Sequence, residues 1–264
     1  MHILVLLAGV ADSKRALPRP ADGAWREIWD APGLSYKLSP FDEAALEIAL
    51  KMRSANQGAT LTVLVAHGAH DESLMRAVAA FRPDSLAGLA LPAADRWDQS
   101  AVARHLRAAL NDLPTRFDVT LIGREFGDAD DGMIAPYLAE SLNLPFVSLA
   151  LNVTANQDSL VFQRAQGDMD ESITLPGPAL ASVSNHKGNR LRHPLFKNVV
   201  HAKQQKFAVP SAAYDGAPTV ALAAAQLAEQ KSRGSGPCRV LSGALSEQAS
   251  ELAAYLKAGA AKQI

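Results

Sequence analysis

Six short apolar runs rich in Val, Ile and Leu recur along this chain, at residues 3–7, 61–66, 86–91, 119–122, 146–151 and 180–183. Most are separated by stretches of helical periodicity. Continuous apolar runs of this length suit strands buried on both faces of a mostly parallel sheet. The intervening patterns read as amphipathic helices. Residues 41–52 place Phe41, Ala45, Ile48 and Met52 on one face, residues 71–81 do the same with Leu74, Val78 and Phe81, and residues 98–110 with Val102, Leu106 and Leu110. A fourth helix is expected at 132–142, starting near Asp131. Strand and helix alternating in this way imply an α/β, doubly wound, mostly parallel sheet with right-handed crossovers. Ligands of such sheets sit at the carboxyl ends of the strands.

After residue 150 the pattern changes. Residues 151–154, 160–162 and 172–175 read as short strands around turn-rich segments, a small antiparallel excursion at the sheet edge. Residues 208–244 are rich in Ala, Gly, Ser and Pro and poor in large apolar side chains, so this arm cannot build a core of its own. A final helix is expected at about 246–257. The expected domains are an α/β domain over 1–207 and a C-terminal arm and helix over 208–264.

Composition narrows the function classes. With 48% hydrophobic and 20% charged residues, the 264-residue chain is globular for most of its length. No apolar run approaches the roughly 18 residues of a membrane span, and the first ten residues lack a basic leader and read as a buried strand. A net charge of −1 gives no steering toward nucleic acid or anionic lipid. The single cysteine, Cys238, excludes an intramolecular disulfide and a thiolate metal cluster, which suits a bacterial cytoplasm or an organelle matrix. The seven histidines show no ligand spacing, so no metal site is expected. Neither a nucleophile elbow nor a Walker or dinucleotide glycine fingerprint occurs, and no catalytic residue is assigned.

Two segments point to a nucleotide. The run Val119-Thr-Leu-Ile122 ends at Gly123, and a loop with two more glycines and three aspartates leads into a helix. A strand, a glycine loop and a helix start can present free backbone N–H groups to a phosphate, although an ordinary βα turn has the same look. In Ser39-Pro-Phe-Asp-Glu-Ala-Ala-Leu-Glu47, Ser39 suits an N-cap, Pro40 the first helical position, and Asp42 and Glu43 the helix dipole. Asp128, Asp130 and Asp131 would repel a triphosphate unless they turn outward, so a monophosphate or a ribose hydroxyl is easier to place. Residues 185–206 are basic and irregular, with Leu195 and Phe196 among Arg190, Arg192 and Lys197. Base-stacking residues are too scarce for nucleic acid. The apolar pair is either a docking anchor with a charged rim or is tucked into the core.

Together these segments resemble the beta subunit of electron-transfer flavoproteins over residues 1 to about 207. Ser39-Pro-Phe-Asp-Glu-Ala-Ala-Leu-Glu47 is similar to that family's Asn-Pro-Phe-(Asp/Cys)-Glu-x-Ala-x-Glu. Gly123-Arg-Glu-Phe-Gly-Asp-Ala-Asp130 is similar to its Gly-Lys/Arg-Gln-x-x-Asp-x-Asp loop. Asn189-Arg-Leu-Arg192 and Asn198-Val-Val-His-Ala-Lys203 resemble its recognition loop and the segment after it. The resemblance implies an adenine nucleotide alpha hydrolase-like fold and an electron-carrier subunit with no bond-breaking chemistry. An alpha subunit would hold most of the redox-active FAD, and a flavoprotein dehydrogenase would donate electrons that pass on toward an electron-transfer flavoprotein-quinone oxidoreductase. It further implies AMP contacts at Leu6, at Ser39, Pro40, Phe41 and Asp42, at His67, and along Gly123, Arg124, Glu125, Phe126, Gly127, Asp128, Ala129, Asp130, Asp131, Gly132, Met133 and Ile134. Arg192, Leu195 and Phe196 would dock the dehydrogenase, Phe196 standing where the family has an anchoring leucine, and the arm would wrap the alpha subunit.

The chain also departs from that pattern. Gly132-Met-Ile-Ala135 stands where the family has Asn-Gln-Thr/Val-Gly, which removes side-chain donors to a phosphate. AMP, FAD or an empty pocket remain the alternatives. Leu191 and His193 replace Pro and Tyr in the recognition loop, which suggests a dehydrogenase other than the fatty-acyl type. Competing readings are a bifurcating-type subunit that holds a second FAD and uses NADH, a stand-alone nucleotide-binding regulator, and an ATP-pyrophosphatase-like enzyme whose phosphate loop is missing here.

Overall fold

The central sheet has six strands, all parallel, in the order β5-β4-β1-β6-β11-β7. In chain order these are β1 (His2–Leu7), β4 (Thr60–Val65), β5 (Ser85–Gly88), β6 (Val119–Gly123), β7 (Phe146–Ala150) and β11 (Ala179–Val183). The computed structural model describes residues 1–15, 34–92, 95–113, 115–156, 159–210 and 240–260. All six apolar runs are strands of this sheet. The third stops at Gly88, short of residue 91, where the chain turns away into the loop before the next helix.

Side chains of β1 are buried on both faces because helices cover both. Ile3, Val5 and Leu7 face α1 (Pro40–Ala55) and α2 (Glu72–Ala79), while Leu4 and Leu6 face α3 (Gln99–Asn111) and α4 (Ile134–Ser141). That two-sided cover is why the strand sequences do not alternate. On the helices, Ala45, Ile48, Met52, Leu74, Val78, Val102 and Leu106 are buried as the spacing requires. Phe41, Phe81 and Leu110 are only half-buried, because each lies at a helix end where the layer of contacts thins. α2 and α3 are capped by Asp71 and Asp98.

The antiparallel excursion is a three-stranded sheet, β8 (Asn152–Asn156), β9 (Ser159–Gln166) and β10 (Met169–Pro176), and Phe162 of its central strand is wholly buried. A two-strand ladder, β2 (Val10–Ala11) with β3 (Tyr36–Lys37), brings the chain after β1 back beside the start of α1. A single 3₁₀ turn at Lys187–Asn189 and α5 (Phe196–Ala202) follow β11. Gly88 N–H donates to Ala208 O at 2.9 Å and Ala90 N–H to Pro210 O at 2.9 Å, so the first residues of the arm cover the β5 edge.

The chain divides into two compact units, Met1–Ala224 and Ala225–Ile264. In the second, α6 (Leu245–Ala260) exposes Leu245, Leu252, Tyr255 and Leu256. Most of the Ala- and Pro-rich arm lies outside the described residues, and the expectation that it wraps a partner falls there. Among the described residues no helix is long and apolar enough to cross a membrane.

Candidate functional site

The strand order reverses between β1 and β6: from β1 the chain builds β4 and β5 on one side, then returns to place β6 on the other. At such a switch point the loops leaving neighbouring strands diverge and open a crevice. Here it is bounded by Gly9 after β1, His67 after β4, Arg96 and Trp97 after β5 and Asp128 and Ala129 after β6. The small cavity in it, about 20 Å³, is lined by Gly9, Tyr36, His67, Arg96, Trp97, Asp128 and Ala129.

The start of α1 supports one wall. Ser39 and Asp42 form a capping box, with Asp42 N–H donating to Ser39 Oγ at 3.0 Å and Ser39 N–H to Asp42 Oδ2 at 3.0 Å. The same wholly buried carboxylate accepts from Ala8 N–H at 3.0 Å and Gly9 N–H at 3.1 Å. Burial pushes the Asp42 carboxyl up, while amide donors from Ala8, Ser39 and Gly9 pull it back. Every oxygen of this side chain is therefore engaged in holding the end of β1 to α1. Gly123 is required opposite, because a Cβ there would lie 2.8 Å from Phe41 Cβ and 3.1 Å from the Phe41 carbonyl carbon.

The loop after β6 is organised by Asp130. Its Oδ2 accepts from Phe126 N–H at 3.0 Å, and its Oδ1 accepts from Gly132 N–H at 2.9 Å, Met133 N–H at 2.8 Å and Ile134 N–H at 3.3 Å. The helix thus begins at Ile134 rather than near Asp131, with Asp130 closing its free amides from inside the loop. Gln99 Nε2 braces the loop by donating to Ala129 O at 2.8 Å. Asp128 stands exposed at the rim, and Asp131 is exposed and reached by Gln99 at 3.3 Å. Gly127 has a φ of +86°, and a Cβ on it would meet His67 Cδ2 at 2.9 Å. His67 in turn packs on Phe126, ring centroids 5.6 Å apart at 56°. Burial, assisted by the Arg96 charge, lowers the His67 pKa to about 3, so the imidazole is neutral at ordinary pH.

The structure brings Ser39, Asp42, His67 and the loop 123–134 to one crevice, but few of them face its cavity. Leu6 and Asp42 are wholly buried below it, Pro40 is exposed at the helix start, and Met133 is 55% exposed on the outside. Tyr36, Arg96 and Trp97, which line the cavity, were not among the candidate residues; Arg96 Nη1 donates to Tyr36 Oη at 3.1 Å. A buried arginine beside an aromatic in a loop between strand and helix was the available signal.

A second arrangement lies along the rest of α1. Glu47, nearly buried, accepts from Arg192 N–H at 3.1 Å, Nε at 3.0 Å and Nη2 at 2.8 Å. One turn on, Lys51 Nζ donates to Gly188 O at 2.7 Å and Asn189 Oδ1 at 3.1 Å, and Asn189 Nδ2 donates to Leu151 O at 2.6 Å. These bonds pin residues 188–192 and leave the next segment projecting. Leu195 is 62% and Phe196 82% exposed, which removes the alternative that they are tucked into the core. We expect Glu47→Ala to cost about 1–3 kcal/mol and to speed proteolytic cleavage within 186–194; unchanged cleavage would show that the loop is held otherwise.

The model of the electron transfer flavoprotein domain matches residues 31–188, more than half of the chain, ending just before the loop that carries Arg192, Leu195 and Phe196. The chain belongs to the electron transfer flavoprotein family. It is 28% identical over 206 residues to the electron transfer flavoprotein subunit beta of Thermoanaerobacterium thermosaccharolyticum, covering 78% of this chain and 76% of that protein. It is 28% identical over 184 residues to the subunit beta of Clostridium acetobutylicum (69% and 68%). The caffeyl-CoA reductase-Etf complex subunit CarD of Acetobacterium woodii is 27% identical over 184 residues (68% and 67%).

Proposed function

We propose that this chain is the beta subunit of a heterodimeric electron-transfer flavoprotein, an electron carrier that makes and breaks no substrate bonds. The FAD, held mainly by the alpha subunit, supplies the redox chemistry when bound. Electrons come from a flavoprotein dehydrogenase and pass on toward a quinone oxidoreductase. The observation that carries the reading is the pinned loop with its projecting apolar pair. Glu47 and Lys51 hold residues 188–192 against α1, so Leu195 and Phe196 are offered to a partner from a rigid base, with Arg192 and Lys197 at the rim. A preordered anchor of this kind lowers the entropy cost of docking. Relatives named as subunit beta support the heterodimer.

The bifurcating alternative would require a second FAD in the crevice. Nucleotide and cofactor pockets are on the order of 300–1,000 Å³, far above the cavity present, so the single-flavin carrier is the better reading.

The test is co-expression with the alpha subunit, followed by reduction of the bound flavin by the donor dehydrogenase. A stable heterodimer with FAD that cycles between donor and quinone oxidoreductase is expected; a chain that remains monomeric and flavin-free beside the alpha subunit would refute the proposal. Phe196→Ala should slow reduction by the dehydrogenase about tenfold or more at subsaturating concentration, with folding stability unchanged, because the ring is a hot-spot candidate with few contacts of its own. An unaltered rate would remove Phe196 from the docking surface.

A further inference from the structure

We infer that the crevice at the switch point is closed by the chain's own side chains, so that this subunit takes no AMP or second FAD. The inference goes beyond the electron-carrier reading and rests on that reading only for the choice of preparation. Two independent observations carry it. The first is space. Phe126 is 1% exposed and belongs to the same buried cluster as Leu6, Ala8, Ala66 and Ile122, the strand ends where a base would have to rest. His67 covers that ring, and Gly127 is pressed against His67, so the loop cannot settle further without backbone movement. What remains is about 20 Å³, room for a water molecule.

The second observation concerns the phosphate. The amides at the start of α4 are the natural cradle for an anion, and here the Asp130 carboxylate already fills it, accepting from Gly132, Met133 and Ile134 N–H there and from Phe126 N–H in the preceding loop. A phosphate would have to displace a buried carboxylate and then sit beside it, with Asp128 on the same rim. Neither the volume nor the donor set fits a nucleotide. An internal aromatic pair and an internal carboxylate do the structural work that a bound nucleotide would otherwise do.

The experiment uses the heterodimer with its alpha subunit. The purified complex is denatured and its released nucleotides are counted by chromatography, and the intact complex is titrated with AMP up to about millimolar while its Tm is followed, since any ligand of the folded state raises Tm. One FAD, no AMP and no AMP-dependent rise in Tm are expected. One AMP or a second FAD per heterodimer, or a saturable rise, overturns the inference and leaves the carrier reading standing. Flavin missing from the complex strikes the carrier reading instead, and the AMP titration still decides the crevice. The double variant Phe126→Ala/His67→Gly removes the rings and should gain an AMP-dependent Tm rise of several degrees. If that variant folds and stays indifferent to AMP, the two rings are not what closes the crevice; if it does not fold, the wild-type nucleotide count remains the deciding result.

Discussion

Replacing Asp42 with alanine is expected to destabilise the protein by about 3–5 kcal/mol, measured as a fall in the denaturation midpoint at unchanged m-value. The carboxylate is wholly buried and accepts from the amides of Ala8, Gly9 and Ser39. Alanine leaves three N–H groups in a dry junction with no acceptor, each costing about 1–3 kcal/mol, part of which relaxation and water entry recover. Asp42→Asn keeps one acceptor oxygen but turns an NH₂ toward donors, and its loss should fall between wild type and alanine. If Asp42→Ala costs less than about 1 kcal/mol, the capping box is not what ties β1 to α1. The helix start calls for an acidic residue at Asp42, and the family resemblance adds a ligand contact there; its three amide partners give it a load within the fold itself.

The second large effect is on the pH dependence of stability. His67 has its pKa lowered from 6.5 to about 3 by burial and by Arg96. In the unfolded chain the same imidazole takes up a proton near its ordinary value. Between these two values the unfolded state therefore binds more protons than the folded state, so stability rises with pH across the window and is lost as pH falls from about 6.5 toward 3. One such group contributes a slope of at most about 1.4 kcal/mol per pH unit. His67→Gln removes the titration while keeping a polar side chain over Phe126. Its stability should fall less steeply than wild type through that range, the carboxylates contributing alike to both. Parallel profiles for the two proteins would mean that His67 is solvated or charged in the fold.

Much of the architecture was legible in the chain because burial on both faces leaves its mark on every residue of a strand. The runs at 3–7, 61–66 and 119–122 are apolar but for Thr62 and Thr120, and β1, β4 and β6 follow them within one residue at each end. Ser39 with Asp42 read as a helix start from local chemistry, and the capping box is there. Where tertiary contacts set the boundary, periodicity misplaced it: α4 starts at Ile134 because a carboxylate four residues earlier satisfies its amides, a bond that no hydrophobic pattern encodes.

The exposure of Phe196 and the engagement of Arg192 could not be read from composition. Glu47 and Arg192 are 145 residues apart, and only the return of the chain after β11 brings them together. The same holds for Tyr36, Arg96 and Trp97, which meet because strand β3 and the segment before α3 converge, not because of any one motif.

By itself, then, the sequence determined the parallel α/β sheet, the helix caps and the family pattern, since these follow from side-chain period and short-range hydrogen bonding. Only the tertiary structure decided which side of each motif faces outward, that α1 holds both the end of β1 and residues 188–192, and that Phe126, His67 and Asp130 are buried at the crevice. Those outcomes depend on packing between segments far apart in the chain, where volume and unpaired amides are settled together.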